Sequence, residues 1–129
     1  MLSYKNTDAG FSSIFQVVPA PSLDITFSTS AAFWDSCEDN TENYYAVSAM
    51  ILSYLKEDET VLGETRIYAA TQYCPWQNTS TIHLYPVHDT LWQDYSFNIT
   101  DELTNLPGVS QDSIKKLKVS VYSFTTTHC

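Results

Sequence analysis

The stretch "YYAVSAMILSYLK", Tyr44 to Lys56, decides how the rest of the chain is read, because it has no polar face. Taken two by two, one side carries Tyr45, Val47, Ala49, Ile51 and Leu55, and the other Tyr44, Ala46, Met50, Leu52 and Tyr54. Ala, Met and Leu suit a helix, whereas the dense aromatic and β-branched residues suit a strand covered on both sides. The sequel tilts the choice. "EDET", Glu57 to Thr60, has the composition of a turn, and "VLGETRIYAAT" after it is again strand-like, so the pair reads as a central strand, a hairpin and its partner.

Working outward, the same period of two recurs. "SLDITFS" alternates Leu23, Ile25 and Phe27 with Asp24, Thr26 and Ser28, and "LWQDYSFNIT" alternates Leu91, Gln93, Tyr95, Phe97 and Ile99 with a polar set that includes Trp92. "TSTIHLYPVH" sets Ile82 and Leu84 on one side and His83 and Tyr85 on the other. "FSSIFQVVPAP" is extended, since Pro19 and Pro21 exclude helix. "TDELTNLPG" predicts a short helical turn capped by Thr100 or Asp101 and stopped at Pro107 and Gly108, and "SQDSIKKL" a second turn capped by Ser110. The final strand, "LKVSVYSFT", should direct Leu117, Val119 and Val121 inward. Residues 1–12 are expected to be a mobile lead-in to one domain spanning 1–129. These elements predict an all-β, antiparallel β-sandwich, with one or two short helical turns before the last strand.

The totals narrow the function classes. At 129 residues the chain supports a single compact core. Six Lys and Arg against fifteen Asp and Glu give a formal charge of −9, which repels phosphate backbones and anionic lipid, so nucleic acid is a poor partner. No window reaches the roughly 18 consecutive apolar residues of a membrane span, so no membrane insertion is expected. The opening "MLSYKNTDAG" has no charged and apolar signal segment. Localisation stays open: cytoplasmic, or extracellular if the domain is excised from a longer parent. Cys37, Cys74 and Cys129 allow one bridge at most; a Cys37–Cys74 bridge would tie two Trp-bearing loops together, and three reduced thiols are the alternative. "NTS" at Asn78 and "NIT" at Asn98 are sequons that matter only in a eukaryotic secretory pathway.

The segment "DTLWQDYSFNITDELTNLPGVSQDSIKKLKVSVYSF", Asp89 to Phe124, resembles galactose-binding-like jelly-roll domains, the group of discoidin-type lectins and many carbohydrate-binding modules. There a Trp-bearing strand with an alternating Tyr-Phe-Ile stretch leads through a helical turn to a returning I-x-x-L-x-V-x-V strand. The resemblance covers roughly a quarter of the chain, in fold-forming residues, and implies an antiparallel β-sandwich of jelly-roll type more than an activity. The amino-terminal third is shorter and richer in Pro than it implies, which leaves open that a partner supplies the first strands.

A sugar site needs a flat aromatic face for the C–H patch of a pyranose and polar groups for its hydroxyls. "QYCPWQN" offers Tyr73, Trp76 and Gln77 in one loop, and "AAFWDSCEDN" offers Trp34. Either Trp could instead plug an open end of the core. Trp92 could lie on a solvent-facing sheet platform or close the sandwich beneath the "HDT" loop. Asp35, Glu38, Asp39 and Asn40 are hard oxygen donors able to coordinate calcium, or simply a solvated acidic loop. Catalytic motifs are lacking: His83, His88 and His128 are scattered, and no pair of carboxylates stands out.

The expectation is a non-catalytic, lectin-like carbohydrate-binding domain using Trp34, Tyr73, Trp76, Gln77 and Trp92. The competing class is a structural or protein-interaction domain of a larger surface or oligomeric assembly, suggested by the doubly apolar strand at Tyr44 to Lys56.

Overall fold

The computed structural model of the chain describes residues 2–7, 10–37 and 44–126. It is an all-β sandwich of two unequal sheets. The strands are β1 (Leu2–Thr7), β2 (Phe11–Pro19), β3 (Thr26–Ala31), β4 (Ala46–Leu55), β5 (Val61–Ala70), β6 (Ile82–Pro86), β7 (Gln93–Asn98) and β8 (Lys116–Thr125). Six form the large sheet in the order β1-β2-β8-β4-β5-β6, and β3 pairs with β7 in the small one. The chain thus passes from the large sheet at β2 to the small one at β3 and back at β4, then repeats the exchange from β7 to β8. That wrapping is a jelly roll. Every pairing is antiparallel except β5 with β6, whose crossover carries the Trp76 loop.

β4 is a strand, apolar on both sides because both sides are covered. Met50, Leu52 and Tyr54 point to the inner layer, where the small sheet and the helical turns lie, while Val47, Ala49 and Ile51 form a separate outer cluster with Tyr45, Tyr68, Cys74, Trp76 and Tyr122. Its neighbours are in register: Leu52 stands opposite Thr65 and Val119, and Met50 opposite Ile67 and Val121. The β4–β5 hairpin closes at the acidic turn, where Glu59 takes a positive φ of 68° and the Asp58 carboxylate accepts from the Thr60 amide at 3.0 Å.

Three local readings shift. The strand expected over "SLDITFS" begins at Thr26, because the carbonyls ahead of it are used otherwise: Leu23 accepts the Thr100 hydroxyl at 2.9 Å and Ile25 the Ile99 amide at 2.9 Å. The helical turn α1 (Ile99–Glu102) is capped by Asn98, not Thr100 or Asp101; Asn98 is extended, and its side-chain oxygen accepts from the Asp101 amide at 3.2 Å. A 3-10 turn, Leu103–Asn105, continues it, and a second, Gln111–Ser113, follows Ser110 at the expected cap position, without a side-chain cap bond. Leu2–Thr7, read from sequence as part of a lead-in, is an edge strand on β2.

Ile99, Leu103, Leu106, Val109 and Ile114 from this connection bury against Leu52, Tyr54 and Leu117. Each such aliphatic side chain contributes about 1.5–3 kcal/mol on leaving water. Of the three residues expected to face the core from β8, Leu117 is buried and Val119 half-buried, but Val121 is 55% exposed. Among the described residues the small sheet is two strands wide and does not cover the inner face where β8 meets β2; Ile14, opposite Val121, is 40% exposed as well.

Candidate functional site

The last rung of the small sheet pairs Ala31 with Gln93. Just beyond it the chain leaves β3 through Phe33 and Trp34 and enters β7 from Trp92. Phe33 turns inward and packs edge-on against Tyr95, with ring centroids 6.2 Å apart, and Trp34 turns out to solvent. Trp92 is held in the other limb. The Asp89 carboxylate accepts from the Leu91 amide at 3.1 Å and from the Gln93 side-chain amide at 2.8 and 3.0 Å, bracketing it. Trp34 and Trp92, 73% and 76% exposed, line one cavity of about 240 Å³ whose walls include Met50, Val121 and Ser48. The Ser48 hydroxyl is buried and has no hydrogen-bond partner among the described residues. Neither indole plugs the core, contrary to the plugging and closing readings of the sequence.

Trp76 behaves in the opposite way. It lies half-buried on the outer face of the large sheet, with Tyr68 at 5.2 Å, Tyr122 at 5.9 Å and the Arg66 guanidinium 4.4 Å above its ring. It lines a different cavity, of about 290 Å³, with Arg66 and Glu64. Tyr73 is half-buried and Gln77 exposed in the same loop, and neither lines the Trp34–Trp92 cavity. The five aromatic and amide residues singled out from sequence therefore fall into two groups. Cys37 is disulfide-bonded and Cys74 carries a free thiol, so the two Trp-bearing loops are not bridged to one another, and the chain does not hold three reduced thiols. Burial pushes the Cys74 thiol above its ordinary range.

Of the calcium donors, Asp35 is half-buried, and desolvation raises its carboxyl above the usual carboxylate range. Glu38, Asp39 and Asn40 lie outside the described residues, as do His128 and Cys129. Among the described residues no three His, Cys, Asp or Glu side chains converge as a metal cage. Nor is any described helix long and apolar enough to cross a membrane.

A constellation that sequence reasoning missed centres on Glu102, whose side chain is 1% exposed. It accepts from Thr65 at 3.0 Å and Tyr85 at 2.5 Å, lies 2.6 Å from His83 Nδ1, and takes a long contact from Asn105 at 3.4 Å. Thr65 spends its one hydroxyl hydrogen on Glu102, so the Tyr54 hydroxyl, 2.8 Å away, must donate to Thr65. Burial, with the carboxylate alongside, holds the phenols of Tyr54 and Tyr85 far above their ordinary range, so both stay neutral donors. The donors saturate both oxygens of Glu102, which ties α1 to β5 and β6 as an anchor. His83 and Tyr85 on one strand face gave a partial signal; the burial of a Glu inside "TDELTN" left none.

Comparison with protein-family models and with curated proteins finds no match for this chain.

Proposed function

We propose that the protein is a non-catalytic carbohydrate-binding domain of the galactose-binding-like type, which takes a sugar between Trp34 and Trp92. One observation carries this: the two most exposed large apolar side chains among the described residues converge on a single cavity. Two indoles left in water forgo the burial that would stabilise the fold, an arrangement that suits a ligand-binding patch. Their flat faces suit the C–H side of a pyranose, and Ser30 and Ser48 line the same cavity. Tyr73, Trp76 and Gln77 belong to the outer-face loop and take no part in this grip.

The test is a glycan-array screen of labelled protein with Trp34→Ala, Trp92→Ala and Trp76→Ala beside the parent, each run with calcium and with chelator. Binding should fall by about 1–3 kcal/mol with either of the first two substitutions and persist in folded Trp76→Ala. The chelator arm reads whether calcium, at Asp35 and the acidic loop after it, belongs to the site. Silence across the array, or binding indifferent to Trp34 and Trp92, overturns the reading.

A second reading rests on Ile14, Val18 and Val121, exposed on the strip of the large sheet that the small sheet leaves uncovered. These suit a protein-interaction or oligomer-forming domain. A concentration-dependent oligomer by size exclusion, with Val121→Asp restoring the monomer, would favour it over sugar binding.

A further inference from the structure

The outer-face cavity has a charge unlike that of the molecule around it. In a chain with fifteen acids and six bases, its lining holds the single arginine, Arg66, and Lys118. The one acid among the described residues that lines it, Glu64, is already engaged: its Oε1 accepts from Arg66 Nε and Nη2 at 3.2 and 2.6 Å, and its Oε2 from the Ser53 hydroxyl at 3.1 Å. That leaves the other N–H groups of the guanidinium unpaired among the described residues. Lys118 has no carboxylate partner among them either; its ammonium lies 5.4 Å over the Phe15 ring. Arg66 is only 18% exposed and its guanidinium carbon lies 4.4 Å over the Trp76 ring, so it is preorganised on a rigid strand. Ser13 and Ser120, both buried, add hydroxyls, and burial raises the Tyr122 phenol so that it remains a neutral donor.

We propose that this cavity, separate from the Trp34–Trp92 site, binds a carboxylate-bearing sugar such as a uronic acid residue. The carboxylate takes the open edge of Arg66 and the ammonium of Lys118 by charge-assisted hydrogen bonds, and the ring hydroxyls meet Glu64, Ser13 and Ser120. The 290 Å³ volume lies at the lower end of ordinary ligand pockets and suits one monosaccharide.

An NMR titration of the labelled protein with glucuronate, glucose and acetate, at matched ionic strength through the millimolar range, tests this. Glucuronate should shift the Arg66 Nε–H and Trp76 indole signals to saturation, glucose should not, and acetate should bind more weakly than glucuronate. Added salt should weaken the glucuronate complex. Lys118→Gln, which breaks no ion pair among the described residues, should weaken it about 10-fold, as should Arg66→Gln if that variant stays folded. Trp34→Ala should leave it unchanged, which separates this site from the first: array silence with saturable glucuronate binding overturns only the Trp34–Trp92 reading. Glucuronate no tighter than glucose, acetate equal to glucuronate, or Lys118→Gln without effect overturns the present one.

Discussion

Glu102 shows what one buried carboxylate asks of its neighbours. Almost wholly out of water, it is tolerable because Thr65 and Tyr85 donate to it and His83 Nδ1 lies 2.6 Å from it. Removing it strands those donors together, so Glu102→Ala should cost about 2–4 kcal/mol in urea unfolding. Glu102→Gln replaces an acceptor by a donor amid other donors and should recover only part of that loss. The phenols give a pH prediction whose sign is fixed. Tyr54 and Tyr85 have folded pKa values raised above the ordinary 10.0, so the unfolded chain loses those protons first. Stability is therefore whole below pH 10 and falls as pH rises through and beyond it. Urea midpoints should drop between neutral pH and about pH 11, and Tyr85→Phe should flatten that fall. Beyond the shared strand face of His83 and Tyr85 this was not legible, since a Glu in a four-residue helical turn reads as solvated until the turn is known to bury both Ile99 and Glu102.

Among the elements, β4 was legible because its doubly apolar pattern has one structural meaning, cover on both faces. The identity of the outer cover was not, for Trp76 and Trp34 look alike in sequence, each in a polar loop beside a Cys. What separates them is the strand beneath: Tyr68 and Arg66 rise from β5 to receive Trp76, whereas past Ala31 the small sheet has ended and nothing comparable among the described residues receives Trp34. The two should answer differently to truncation. Trp76→Ala should lower stability by about 1–3 kcal/mol, as a half-buried aromatic leaving an apolar cluster. Trp34→Ala and Trp92→Ala should stay within about 0.5 kcal/mol of the parent by thermal or urea unfolding. A large loss in either would mean that the exposed indoles support the fold after all. Trp92's place on the polar alternation of its segment is accounted for in the same way: it stands one residue ahead of Gln93, where β7 begins, and faces the cavity, not the core.

For the whole molecule, period-two patterns and turn chemistry were enough to specify a β-sandwich, because alternation reports which faces are covered. They did not reveal that the sheets differ in width, six strands against two, since the parallel pairing of β6 with β5 is a long-range choice that periodicity does not encode. That inequality leaves Ile14 and Val121 in water and makes room for the cavity between Trp34 and Trp92. The covalent link at Cys37 acts at this scale too. Reduction should lower stability by about 2–4 kcal/mol through the added freedom of the unfolded chain, read as a lower Tm with reductant than without. Cys74, half-buried and with its thiol held protonated, should meanwhile alkylate slowly in the native protein and quickly in urea.

Asn98, Ile99 and Thr100 spell an acceptor tripeptide, yet the fold has already used both of its polar ends. The Asn98 amide donates to Asp24 at 3.1 Å while its oxygen caps α1, and the Thr100 hydroxyl goes to the Leu23 carbonyl. A glycosylating enzyme needs those same groups in the open. The tripeptide is therefore a substrate only for as long as the chain around it is unfolded, and a sugar at Asn98 would act as a timestamp, recording whether the transferase or the closing of α1 came first.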